Sequence, residues 1–127
     1  MPKARNRIDR CAQILRWLAK NWPMGRSVEL RWKNILTDYE TGKKDPALEG
    51  QTYREGTRIV IEMKRQRCPN CLRTTLWHEY GHAYLWGVAG EEFDREHHPA
   101  HFYTLLGEIE ELWNEIGHEE ANEYEVD

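Results

Sequence analysis

Two histidines and a glutamate near the middle of the chain have the types and spacing of a hydrolytic metal site. In His78-Glu79-Tyr80-Gly81-His82 the histidines are four positions apart, so on a helix both rings lie on one face and their nitrogens can converge on one ion. Glu79 lies beside them, where its carboxylate can take a proton from a metal-activated water. The segment predicts a zinc peptidase site in which His78 and His82 bind the metal and Glu79 is the general base.

A simpler interpretation is a buried amphipathic helix that carries two incidental histidines. The flanking residues are apolar enough for it: Leu76, Trp77, Tyr80, Ala83, Tyr84, Leu85 and Trp86. An apolar shell also suits a catalytic metal, because it strengthens the electrostatic effect of the ion on its ligands. We therefore favour the metal site.

A catalytic zinc ion usually has three protein ligands and a water molecule, so a third ligand is expected beyond His82. The short spacing of the metzincins is excluded because the sixth residue after His82 is Val88. The third ligand must therefore come from a separate element. The candidates are His97, His98 and His101, with the carboxylates of Asp94 and Glu96 as alternatives.

Two blocks, His78 to Trp86 and Asp94 to Phe102, resemble the SprT-like peptidases, which include the Spartan proteases. In that family HExxH is followed by alanine and apolar residues, then by a loop often ending Asp-Arg-Glu and a third histidine four residues before an aromatic. The resemblance implies one catalytic Zn²⁺ and, because Phe102 is the aromatic, His98 as third ligand. The family's spacing from HExxH favours His97 instead, and His101 is a further alternative.

The resemblance covers most of the chain and implies an α+β, minimal zincin-like metallopeptidase domain at residues 1–117. It has an N-terminal helix, a small β-sheet, a central HExxH helix and a C-terminal helix. It also implies that the strand before the metal helix, Thr57–Lys64, borders the cleft and pairs with extended substrate. The chain has no four-cysteine module of the kind that many members carry at the C-terminus.

Hydrophobic periodicity predicts the elements themselves. We expect helices over Ile8–Lys20, from Asn70 or Leu72 to Gly87 or Gly90, and from Pro99 to about Gly117, and strands over Val28–Lys33, with Val28, Leu30 and Trp32 facing the core, and over Thr57–Lys64. The polar stretch from Asp38 to Gly56 is interpreted as a loop or short hairpin. Residues 118–127 are interpreted as an acidic, flexible tail.

Charge is distributed unevenly along the chain. Residues 1–73 carry 17 Lys and Arg against 8 Asp and Glu, whereas residues 74–127 carry 1 against 14. We favour mutual attraction of the two halves in the fold over a nucleic-acid surface. The family resemblance nevertheless suggests action on DNA-associated proteins, with Lys64, Arg65, Arg67 and Arg73 as candidate DNA-binding residues. Processing of one dedicated protein and a non-catalytic, zinc-stabilised binding module are the alternatives.

The three cysteines do not suggest a secreted disulfide framework. With no signal-peptide pattern and no long apolar run, an intracellular, cytoplasmic protein is expected. For Cys68-Pro69-Asn70-Cys71 we favour packed or free thiols, with a second metal site or a reversible disulfide as alternatives. Candidate donors to a substrate oxyanion are Tyr103, Tyr53, His97 and His101.

Overall fold

The computed structural model of the protein describes residues 4, 6–89 and 100–125. The fold is α+β, with an N-terminal helix, a small sheet and C-terminal helices, as the sequence predicts. The elements are α1 (Arg7–Asn21), β1 (Val28–Lys33), β2 (Leu36–Thr37), β3 (Lys44–Asp45), β4 (Gly50–Glu55), β5 (Arg58–Lys64), α2 (Pro69–Ala89) and α3 (Ala100–Leu112). The chain continues from α3 through a π-helical turn (Trp113–Gly117), the short helix α4 (His118–Glu120) and a 3₁₀ turn (Ala121–Glu123).

Helix α1 begins and ends within one residue of its predicted bounds. The side chain of Asn6 caps its first turn by accepting a hydrogen bond from the Asp9 amide at 2.9 Å. Its buried apolar face is formed by Cys11, Ile14, Trp17 and Leu18. This face is the side of α1 that packs into the hydrophobic core.

The main sheet has three strands in the order β1, β5, β4. Strand β5 pairs in parallel with β1 and antiparallel with β4. Both predicted strands are confirmed, and Val28, Leu30 and Trp32 pack against the core. The opposite face of β1 is charged, with ion pairs from Arg31 to Glu29 and Glu55.

Strand β4 lies in the polar stretch between Asp38 and Gly56, for which a short hairpin is one of the two interpretations of the sequence. It forms a hairpin with β5 through a turn at Gly56, whose φ of 65° suits glycine. Because β4 occupies the free side of β5, the segment Thr57–Lys64 lies in the middle of the sheet and has no edge for substrate. The edge strand next to α2 is β4.

Helix α2 lies between the sheet and the other helices. Leu72, Leu76 and Tyr80 are buried in the core. The phenol of Tyr80 donates a hydrogen bond of 2.6 Å to the carbonyl of Trp22, and burial raises the pKa of Tyr80, so the phenol stays protonated and keeps this bond. Within the described residues, no helix combines the length and the apolar character needed to cross a membrane.

Residues 118–125 differ from the flexible tail expected from composition. They are helical as far as Glu123 and pack against α1, with Ala121 fully buried. Arg10 donates to the carbonyl of His118 at 3.1 Å, and Gln13 donates to the carbonyl of Tyr124 at 3.1 Å. Hydrogen bonds to the backbone of this segment, together with burial of one small apolar side chain, order a sequence whose acidic composition indicated disorder.

Gly117 is expected to tolerate no side chain. A Cβ there would lie 2.3 Å from Cζ2 of Trp17, which is fully buried. Gly117→Ala should therefore lower the free energy of unfolding by about 3 kcal/mol, measured by urea denaturation. Gly107→Ala is the control, because no atom lies within 4 Å of its added Cβ and alanine in a helix interior should stabilise by up to about 1 kcal/mol. Equal effects of the two changes would contradict this packing.

Candidate metal centre

The side chains of His78 and His82 meet at their ring nitrogens. Their Nε2 atoms lie 3.2 Å apart, and the ring centroids lie 4.8 Å apart. Two nitrogens that share a tetrahedral zinc ion at about 2.0–2.1 Å lie roughly 3.3–3.4 Å from each other. The two histidines thus fit a zinc ion as two of its ligands, as their spacing in the sequence predicts.

Phe102 of α3 packs against both imidazoles. Its ring centroid lies 5.0 Å from that of His78 and 4.5 Å from that of His82, and the side chain is almost completely buried. Gly81 makes room for it, because a Cβ at that position would lie 3.0 Å from Cε2 of Phe102. The aromatic contact therefore restricts the orientation of both histidine rings.

Glu79 is buried and held by Thr52 on the neighbouring strand. The Thr52 hydroxyl lies 2.8 Å from Oε1 of Glu79 and 3.1 Å from its backbone oxygen. This hydrogen bond to Oε1 restricts the rotamer of the buried Glu79 side chain. No local sequence pattern predicts the role of Thr52, because its partner, Glu79, lies on a different element.

Gly50, also on β4, lets the strand approach α2 closely. A Cβ at this position would lie 2.8 Å from Cγ2 of Thr75 and 3.2 Å from Cγ of Glu79. Glycine is the residue that permits such a backbone approach. Gly50 and Thr52 together set the distance between the edge strand and the glutamate.

The cleft beside these residues consists of two adjoining pockets that share Gly50, His78 and Glu79. The smaller, of 220 Å³, reaches His82 and is closed by Glu40, Leu48 and Gln51. The larger, of 560 Å³, extends past Ala47, Glu49, Thr74, Thr75 and Leu106. Every charged side chain that lines these two pockets is a carboxylate, so the described walls of the cleft favour cationic groups.

The expected third ligand, His98, lies outside the described residues, as do His97, Asp94 and Glu96. His101 is described and is exposed on the first turn of α3. Within residues 6–89 and 100–125, no third His, Cys, Asp or Glu joins His78 and His82 in a metal-binding group. Helix α3 begins at Ala100, two residues after His98, and its Phe102 touches both histidines.

Neither of the two tyrosines considered as oxyanion donors lines the described cleft. The phenol of Tyr53 donates to the Glu62 carboxylate at 2.8 Å, and Tyr53 lines a separate pocket of 390 Å³. Burial, with a smaller contribution from Glu62, raises the pKa of Tyr53 to about 12. Tyr103 is 57% exposed, contacts the edge of Phe102 and lines neither pocket of the cleft.

The four candidate DNA-binding residues do not line the described cleft. Arg73 lies over the rings of Trp77 and Trp113, at 5.2 and 5.5 Å, so it packs against the core. Lys64 donates to the carbonyl of Pro46 at 2.6 Å, while Arg65 bonds the Asn34 side chain and Arg67 is exposed. Lys64, Arg65 and Arg67 lie in the segment that leads into α2.

Comparison of the chain with protein-family models, curated proteins and solved structures finds no match.

Removal of either histidine should abolish binding of one zinc ion. We expect wild-type protein to bind one equivalent, and His78→Ala and His82→Ala each to bind none, by isothermal titration and by metal analysis after dialysis. His118→Gln is the control. His118 is not a candidate ligand, and its ring bonds the carbonyl of Trp113 at 2.9 Å. Wild-type stoichiometry in both alanine variants would contradict the proposed centre.

Proposed function

We propose that the protein is a zinc-dependent endopeptidase of the SprT-like type, with a minimal zincin-like fold. The observation that carries the proposal is the convergence of His78 Nε2 and His82 Nε2 at 3.2 Å beside the buried carboxylate of Glu79. These three groups line a cleft next to the edge strand β4. A pair of metal-binding histidines, a general base and an outer strand of the sheet are parts that metal-assisted hydrolysis of an extended peptide uses.

In this proposal His78, His82 and His98 hold one Zn²⁺, with His97 and His101 as alternative third ligands. A bound zinc ion supplies Lewis acidity that lowers the pKa of a water molecule and polarises a carbonyl. The support for His98 is that α3 starts two residues after it in the sequence and that Phe102 of α3 contacts both histidines.

Glu79 moves the proton in the proposed reaction. Its carboxylate accepts a proton from the attacking water and passes it to the leaving amine. Thr52 acts through Glu79, because its hydroxyl bonds Oε1 at 2.8 Å and limits rotation of the carboxylate. Phe102 has the corresponding role for the two imidazoles, since it contacts both rings.

The substrate is held in an extended conformation in this proposal. Strand β4 is the outer strand of the described sheet on the side away from β5, and strand addition to it is the mode of substrate binding in this proposal. Gly50 and Thr52 lie on β4 directly against Glu79. A peptide paired with this strand therefore runs past the candidate general base.

Glu79→Gln should bind one equivalent of zinc and lose cleavage of unfolded casein by at least about 100-fold, because an amide cannot accept the proton. Glu120→Gln is the control: Oε1 of Glu120 accepts a hydrogen bond from Trp17 at 3.2 Å, and an amide oxygen can still accept it. Full cleavage by Glu79→Gln would refute the peptidase assignment.

Thr52→Val should lower kcat by about 10-fold with little change in KM, because the substitution removes a group that orients the base without touching substrate. Thr52→Ser should restore kcat, since serine keeps the hydroxyl. Unchanged kcat in Thr52→Val would show that Thr52 does not position Glu79.

Action on DNA-associated proteins in the cytoplasm is the more specific form of the proposal. The support is the segment from Lys64 to Trp77, which carries four basic residues and no acidic one. Stimulation of cleavage by single-stranded DNA, lost in a Lys64, Arg65 and Arg67 triple alanine variant, tests it. Salt-sensitive DNA binding by zinc-loaded protein that cleaves no unfolded substrate would instead support the binding-module alternative.

A further inference from the structure

Cys68 and Cys71 are joined by a disulfide at the start of α2. The sequence favours packed or free thiols here, with a disulfide as one alternative. The structure contains the disulfide. Both residues are only half buried, in contrast to Cys11, which is buried in the core and has a free thiol. The disulfide is thus the sulfur group that reagents in solution can reach.

The surroundings of Cys68 stabilise negative charge on its sulfur. The backbone amide of Cys71 donates to Sγ of Cys68 at 3.1 Å, and the first turn of α2 contains no acidic residue. The helix N-terminus and the Cys71 amide lower the free energy of a thiolate at this position. The segment from Lys64 to Trp77, which includes Cys68, contains four basic residues and no carboxylate that would oppose a thiolate.

We propose that the disulfide between Cys68 and Cys71 is a thiol–disulfide exchange site for thiol reductants. The thiolate of a reductant attacks Sγ of Cys68, the bond between the two cysteines breaks, and the Cys71 sulfur leaves with the electron pair and takes a proton. A second thiol attacks the reductant's sulfur in the mixed disulfide and releases Cys68 as thiolate. Two electrons pass to the protein, and two thiols of the reductant are oxidised to one disulfide.

The opposite direction follows the same steps in reverse order. In the reduced protein the stabilised thiolate of Cys68 attacks an external disulfide, and Cys71 then displaces the external sulfur. Cys11 takes no part, since burial raises its pKa to about 11 and keeps it protonated and inaccessible. The site does not depend on the peptidase proposal, because neither cysteine contributes to the cleft.

The first test exposes native protein to reduced glutathione in large excess over glutathione disulfide, followed by iodoacetamide and mass spectrometry. We expect two alkyl groups, added together on Cys68 and Cys71, none on Cys11, and an unchanged near-UV circular dichroism spectrum. A disulfide that opens only when the protein unfolds would overturn the proposal. A second equivalent of zinc bound by the reduced protein and lost in Cys68→Ser would also overturn it, because the pair would then be a metal site.

Single variants identify the attacking sulfur. With glutathione disulfide, Cys71→Ser should form a mixed disulfide at Cys68 at least about 10-fold faster than Cys68→Ser forms one at Cys71, because the helix N-terminus stabilises the first thiolate. Both variants carry Cys11→Ser as a background, and the single Cys11→Ser variant controls for fold. Equal rates, or no adduct in either variant, would overturn the assignment of Cys68.

Discussion

The close packing of β4 against α2 at Gly50 is the constraint on which the candidate site depends. A side chain at this position would overlap Thr75 and crowd Glu79, so the strand could not reach the distance at which Thr52 bonds the glutamate. The same approach places β4, the outer strand of the described sheet, along the cleft. One residue without a side chain therefore controls both the orientation of the carboxylate and the position of the strand edge.

The sequence predicts those parts of the fold whose side chains follow a local period. α1, β1, β5 and α2 lie within a few residues of their expected bounds. Helix α1 and strand β1 each turn one periodic apolar face to the core, and β5 is a β-branched run whose consecutive residues Ile59, Val60 and Ile61 are all buried. Strand β4 escapes prediction because its buried residues Gln51 and Thr52 are polar: Gln51 bonds Glu62 on β5 and the carbonyl of Thr37, and Thr52 bonds Glu79 on α2. The i, i+4 spacing fixes two histidines, but a third ligand on a separate element has no periodic relation to them.

The uneven distribution of charge along the chain suggested mutual attraction of the two halves, but the ion pairs between described residues do not join them. Ion pairs between described residues stay within one half, as between Arg31 and Glu55 or Arg58 and Glu29. The basic N-terminal helix instead binds the acidic C-terminal segment through backbone carbonyls and side-chain amides, such as Arg10 with Asn122. Among the carboxylates of that segment, Glu120 accepts a hydrogen bond from the Trp17 indole, whereas Glu119, Glu123 and Glu125 are exposed and contribute to the negative net charge.

The contact between α1 and the C-terminal segment also has a consequence for the order of events during synthesis. Trp17 is completely buried, and its ring meets Trp113 and Gly117 while its indole nitrogen bonds Glu120. A ribosome releases these partners only after nearly a hundred further residues have been added. Through most of translation, Trp17 of α1 therefore lacks these partners. Native packing of the core is completed only after residues 113–121 leave the exit tunnel.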